Sequence, residues 1–152
     1  MKTFTIILTF LVLVSGCASR NAFEQFNMSE EQELSANALQ RSKIKLDDKV
    51  NGIVSVVYLN FVSPQEYKDG EYFYVYTYVK NRDYELRFLL NNKASIAVEE
   101  LPSKNKFTEL TSIDNEWSKY YLVRFAPQED KLSFVCETGP YSSDTLKFEK
   151  DE

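Results

Sequence analysis

Residues 72–79 read Tyr-Phe-Tyr-Val-Tyr-Thr-Tyr-Val, and every one is aromatic or β-branched. Such side chains lose rotamer freedom in a helix and pack well on a pleated surface, so the segment is a strand by its own chemistry. The same period of two recurs after Lys43. It predicts strands at 44–46, 53–62, 72–79, 84–90, 94–101, 117–126, 132–137 and 145–149. Turn signals separate them: Ser63-Pro64, Asp69-Gly70, Asn91-Asn92, Pro102-Ser103, Pro127-Gln128 and Gly139-Pro140. No helical pattern intervenes. The reading is an all-β, antiparallel β-sandwich of seven to eight strands over 43–152, preceded by a short helix.

Side-chain direction follows from the pleat. Tyr72, Tyr74, Tyr76 and Tyr78 share one face of their strand, while Phe73, Val75, Thr77 and Val79 share the other. Tyr84, Leu86, Phe88 and Leu90 alternate with Glu85, Arg87 and Leu89 in the next strand. If the two strands form a hairpin, a loop of even length puts Val75 and Val79 in the core with Leu86 and Phe88. An odd loop would strand valines beside charges, because a one-residue slip flips every side chain. The four tyrosines then lie outside the core. They form either a binding face, since tyrosine offers rigid area with a polar tip, or a cross-strand structural ladder. On this view Tyr74→Ala or Tyr76→Ala is mild for stability.

Segment 29–42 predicts a short helix over about 30–41, docked weakly or not at all. Ser29-Glu30-Glu31-Gln32 has the form of a capping box, with Arg41 and Lys43 placed for the far end of the helix dipole. The run 53–62 is apolar on both faces except Ser55 and Asn60, which predicts a central strand covered on both sides.

The first residues carry a different signal. Lys2 precedes an apolar run from Phe4 to Val14, whose eleven residues would rise only about 16 Å as a helix, too short for a hydrocarbon core of about 30 Å. This is the pattern of a secretory signal peptide. The run meets Val14-Ser15-Gly16-Cys17, which resembles the lipobox of bacterial lipoproteins. The resemblance implies removal of 1–16, lipidation of Cys17, and 17–28 as lipidated N-terminus and tether. Several acyl chains together give stable anchoring. Ala18 after the cysteine, in place of aspartate, implies the outer membrane, with periplasmic and surface-facing orientations both open. More distantly, Asp130-x-Leu132-x-Phe134-x-Cys136 resembles strand F of immunoglobulin-like domains, with Phe134 in the slot where that family carries tyrosine. Small immunoglobulin-like lipoproteins are the family this implies.

Composition narrows the chemistry. The chain has no histidine, which removes Ser-His-Asp and Cys-His systems and the commonest metal ligand. A formal charge of −5 speaks against tracking nucleic-acid phosphates. Lipidation of Cys17 would leave Cys136 unpaired, on a core-facing position as an inert thiol. Acidic pairs at Asp47-Asp48, Glu99-Glu100 and Glu129-Asp130 lack the spacing of a calcium loop. No metal or cofactor is expected. Three functional readings follow: a lipid-anchored, non-enzymatic binding or assembly module with an envelope or host protein as partner; a glycan or peptidoglycan binder using an exposed tyrosine face; and, last, a carboxylate enzyme.

Overall fold

The structure, a computed structural model, describes residues 28–150. Cys17 and the expected signal segment, 1–16, lie outside the described residues. The first element, α1 (Glu30–Ala38), begins as the sequence predicts: Gln32 N donates to Ser29 Oγ (3.2 Å) and Ser29 N donates to Gln32 Oε1 (2.9 Å). Three acids, Glu30, Glu31 and Glu33, occupy its first turn and suit the helix dipole. The helix stops at Ala38, not at 41, and the chain runs straight into β1 (Leu39–Leu46). The reason is pairing. From Leu39 to Leu46 the strand runs antiparallel to β2 (Lys49–Tyr58), and Arg41 Nε donates to Ser55 Oγ at 2.9 Å. Arg41 and Lys43 therefore serve a sheet and not a helix end, because a ladder outweighs a thin apolar stripe.

β2 is central, flanked by β1 and by β3 (Glu71–Val79), and Val54, Val56 and Val57 are fully buried. Gly52 permits the close approach, since a Cβ there would lie 2.3 Å from the Tyr78 carbonyl oxygen. The strand ends at Tyr58 and not at 62; a single helical turn, α2 (Leu59–Val62), follows. Asn60 holds the next loop by donating to the carbonyls of Tyr67 (3.1 Å) and Gly70 (2.7 Å).

The remaining strands are β4 (Leu86–Leu90), β5 (Lys93–Ala94), β6 (Ala97–Leu101), β7 (Lys119–Phe125), β8 (Lys131–Thr138), β9 (Tyr141–Ser143) and β10 (Leu146–Glu149), with one turn of helix, α3 (Thr108–Thr111), before β7. The Asn91-Asn92 turn joins β4 to β5 with positive φ at both residues (49° and 64°), as a twisted two-residue hairpin requires. The ten strands of the described residues join one antiparallel sheet in the order β5-β4-β8-β9-β1-β2-β3-β7-β6, with β10 also on β8. The sheet curls over so that its inner face becomes the core. There Phe73 meets Phe134 (5.1 Å), Phe148 (5.4 Å) and Phe125 (5.7 Å) between ring centroids. Cys136 is fully buried in the same core, and burial pushes its thiol up to about 12.

The β3–β4 hairpin does not form. β3 has β2 on one edge and β7 on the other, while β4 pairs with β8 and β5. Residues 80–85 instead carry the chain across the fold. The facing deduced from the pleat survives this: Phe73, Val75 and Phe88 are buried in one cluster, with Val79 and Leu86 packed against it. Both strands turn these side chains to the inner core whether or not they pair, although the outer face of β3 is buried as well.

Outside the sheet lies a second apolar layer. Helix α1, the turn α2 and the segment 102–113 cover the outer face of β2, β3 and β7, enclosing Ala38, Val57, Leu59, Phe107 and Tyr120. Gln32 Nε2 donates to the Glu109 carbonyl (2.9 Å), so α1 is docked firmly and not loosely.

Candidate functional site

The tyrosine face is split by that second layer. Tyr74 is 0 % exposed and Tyr76 6 % exposed. Tyr74 packs on Phe107 (4.8 Å) and stacks with Tyr120 (6.3 Å, 14° between planes). Burial pushes its hydroxyl up to about 12, and Asn105 Nδ2 donates to it at 3.4 Å. Tyr72 is half-buried against Tyr67, under the Arg124 guanidinium. Tyr78 alone of the four is exposed, beside Ile53 on β2. The expected four-tyrosine binding surface therefore does not exist. Leu34, Ala38, Leu39 and Phe107 needed an apolar surface, and the outer side of β3 is where they found it.

A cleft forms where β3 and β4 fail to pair. The sheet's terminal strands, β5 and β6, are consecutive in the chain, so the segment 93–101 starts on β4 and ends on β7. It closes one end of the curl and leaves the other open, between the first half of β4 and β6. The opening is a cleft of about 390 Å³, within the range of small-ligand pockets. Its floor is apolar: Val79, Leu86, Phe88 and Tyr121. Burial, aided by the Glu100 carboxylate, pushes the Tyr121 hydroxyl up to about 12.

The rim is aromatic and charged. Trp117, the chain's single tryptophan, stands 72 % exposed in the turn before β7, and Tyr84 is 46 % exposed across from it. Arg82 Nη2 donates to the Trp117 carbonyl (3.5 Å), tying the 80–85 crossing to that turn. Asn81 Oδ1 accepts from Asp83 N (2.9 Å), which shapes the crossing locally. Gly139 makes room for the Tyr84 ring, since a Cβ there would come within 2.5 Å of it. Lys119 pairs with Glu100 at 3.1 Å. Asp83 and Glu85 also line the cleft, with no ion pair among the described residues.

The sequence flagged 80–83 only as a loop and Trp117 only as a strand start. Nothing local marks their meeting, because it depends on two strands not pairing. The acidic pairs are scattered: Asp47-Asp48 turns the β1–β2 hairpin, Glu99-Glu100 lies on β6, and Glu129-Asp130 precedes β8. Among the described residues no three His, Cys, Asp or Glu side chains could share a metal ion.

At the other end of the sheet Glu71 is 2 % exposed. It accepts from Tyr58 Oη (2.7 Å) and Gln128 N (2.9 Å) and pairs with Lys150 Nζ (2.7 Å). Burial, then the bond and charge of Glu71, hold the Tyr58 hydroxyl far above its ordinary value. Every partner of this carboxylate comes from the fold itself, so the cluster is a clamp that ties β2, β3, the 126–130 loop and the end of β10 together. Comparison of the chain with protein-family models, curated proteins and solved structures gives no match.

Proposed function

We propose that this chain is a lipid-anchored, non-enzymatic binding module of the bacterial cell envelope, held at the outer membrane through Cys17, with a protein partner seated in the cleft between β4 and β6. The observation that carries the reading is the exposed Trp117 and Tyr84 beside an apolar floor. Tryptophan and tyrosine are the residues that most often anchor protein interfaces when a partner dehydrates them. The lipobox-like Val14-Ser15-Gly16-Cys17 supports the anchor. A tether of eleven residues, 18–28, would let the domain range about 17–20 Å from the membrane surface. The glycan reading rested on a continuous four-tyrosine surface, which the burial of Tyr74 and Tyr76 interrupts.

The test uses intact cells. Metabolic labelling with a fatty acid should mark the wild type and not Cys17→Ser. A photocrosslinker at Tyr84 should trap a protein whose yield drops in Trp117→Ala. An unlabelled wild type defeats the anchor; a crosslinking pattern unchanged by Trp117→Ala defeats the cleft.

A further inference from the structure

The cleft has two backbone edges as well as a floor. Among the described residues β6 is the last strand of the sheet and pairs only with β7, so within them its far edge is free along Ala97–Leu101. β4 is covered by β5 only at Leu89 and Leu90, and the Phe88 carbonyl accepts from Ser95 N at 3.2 Å. Beyond that point Leu86 and Arg87 also present an edge. The two free edges flank the same apolar floor. Unpaired strand edges are templates for another strand, and natural edges are usually guarded by charged side chains, lysine above all, by proline or by a bulge; β6 carries only the acids Glu99 and Glu100, which leave it open to a basic partner. β6 contains neither lysine nor proline, and Ile96 (58 % exposed) and Val98 (49 % exposed) stand beside or on it.

Its charges are acidic. Glu100 is held by Lys119, whereas Glu99 has no ion pair among the described residues, and neither have Asp83 and Glu85 on the crossing segment. A second copy of the chain is therefore the wrong occupant. Two-fold pairing of β6 with itself would bring the Glu99-Glu100 pairs of both copies together, and like charges opposite one another across strands are destabilising.

We infer that the cleft binds an extended segment of a partner protein by strand addition to β6, and that the segment alternates apolar side chains, directed to the Phe88–Tyr121 floor, with lysine or arginine on the opposite face, where Glu99 lies, while a basic residue at one end of the segment meets Asp83 and Glu85 at the cleft rim. Main-chain bonds to the edge would supply affinity and the floor and acids would supply choice. β4 and β6 run antiparallel to each other, because each is antiparallel to the intervening stretch or continues it. The added strand is thus antiparallel to one edge and parallel to the other. The inference rests on the proposal that the cleft is the binding site.

The experiment selects random linear dodecapeptides on the full-length protein in mild detergent, discarding those that still bind Val98→Arg. Val98 and Trp117 are exposed, so changes there leave the core intact. Enriched peptides should alternate apolar and basic residues and shift Trp117 fluorescence. They should slow amide hydrogen exchange at 97–101 and bind about tenfold or more weakly when alternate amides are N-methylated. Peptides that tolerate N-methylation and leave 97–101 unprotected overturn strand addition while leaving the cleft as a side-chain pocket. A selection yielding no peptide that depends on Val98 overturns it too, and the crosslinking above then judges the cleft separately. Concentration-dependent dimerisation with protection of 97–101 would make the occupant a second copy.

Discussion

Replacing Tyr74 by alanine tests the second layer most directly. The side chain is fully buried between the sheet and the covering segment, with Phe107 at 4.8 Å, Tyr76 at 5.9 Å and Tyr120 at 6.3 Å between ring centroids. Truncating a buried aromatic to alanine costs about 3–5 kcal/mol, through lost burial plus the cavity left behind. Aromatic neighbours are worth about 0.5–1.5 kcal/mol each beyond area, which places Tyr74→Ala at the upper end of that range. Phe73→Ala, the next residue but facing the inner core, should cost a similar amount. Tyr78→Ala, two turns of the pleat along the same face but 43 % exposed, should cost less than about 1 kcal/mol. Tyr74→Phe keeps the ring and loses the hydroxyl with its long 3.4 Å bond from Asn105, and should be near neutral. Urea denaturation of the four variants reads all of this. With a slope of about 2 kcal/mol per molar, a loss of about 4 kcal/mol lowers the midpoint by about 2 M. A midpoint for Tyr74→Ala within about 0.5 M of the wild type would refute the reasoning, because the outer layer would then contribute nothing to the cooperative fold.

Three further outcomes follow from the buried polar groups and the cleft. Glu71→Ala should cost about 3–5 kcal/mol in the same assay, since it leaves the Tyr58 hydroxyl and the Gln128 N–H without their acceptor and Lys150 without its counter-ion; a loss below about 1 kcal/mol would show that the clamp is dispensable. Alkali should destabilise the protein: burial raises Tyr74 and Tyr121 from 10.0, and Cys136 from 9.0, all to about 12. The unfolded chain therefore loses these protons first, so the contribution of these three groups to stability is level below pH 9 and falls as pH rises from 9 to 12. In a pH series of denaturation midpoints, Cys136→Ala should delay the onset toward pH 10, and an unchanged onset would contradict the burial of the thiol. Rapid acrylamide quenching of Trp117 is expected in the free protein and should slow when the cleft is filled.

What the sequence determined was local. The capping box at Ser29 and Gln32 needs only four residues, and it is formed. The 72–79 strand needs only its own β-branched and aromatic side chains, and β3 spans Glu71–Val79. The pleat alone put Phe73 and Val75 on one face and the tyrosines on the other, and that separation holds whichever strand lies alongside; the choice of face rests on a hairpin that does not form. Turn chemistry placed bends at Asn91-Asn92 and Gly139-Pro140 for the same reason: the backbone angles are a property of those residues.

What only the tertiary structure decided was who lies next to whom. Helix α1 ends at Ala38 because β2 offers Leu39–Leu46 a ladder, a partner that begins ten residues further on in the chain. β3 and β4 are neighbours in sequence and not in the sheet, because β2 and β7 already occupy both edges of β3. Tyr74 and Tyr76 are covered because α1 and the 102–113 segment bring apolar residues that have nowhere else to dock. The cleft at Trp117, Tyr84 and Val98 is a consequence of all three. Alternation is a two-residue property that short-range sterics enforce, whereas pairing is chosen among many near-equal edges by the total apolar area the whole chain can remove from water.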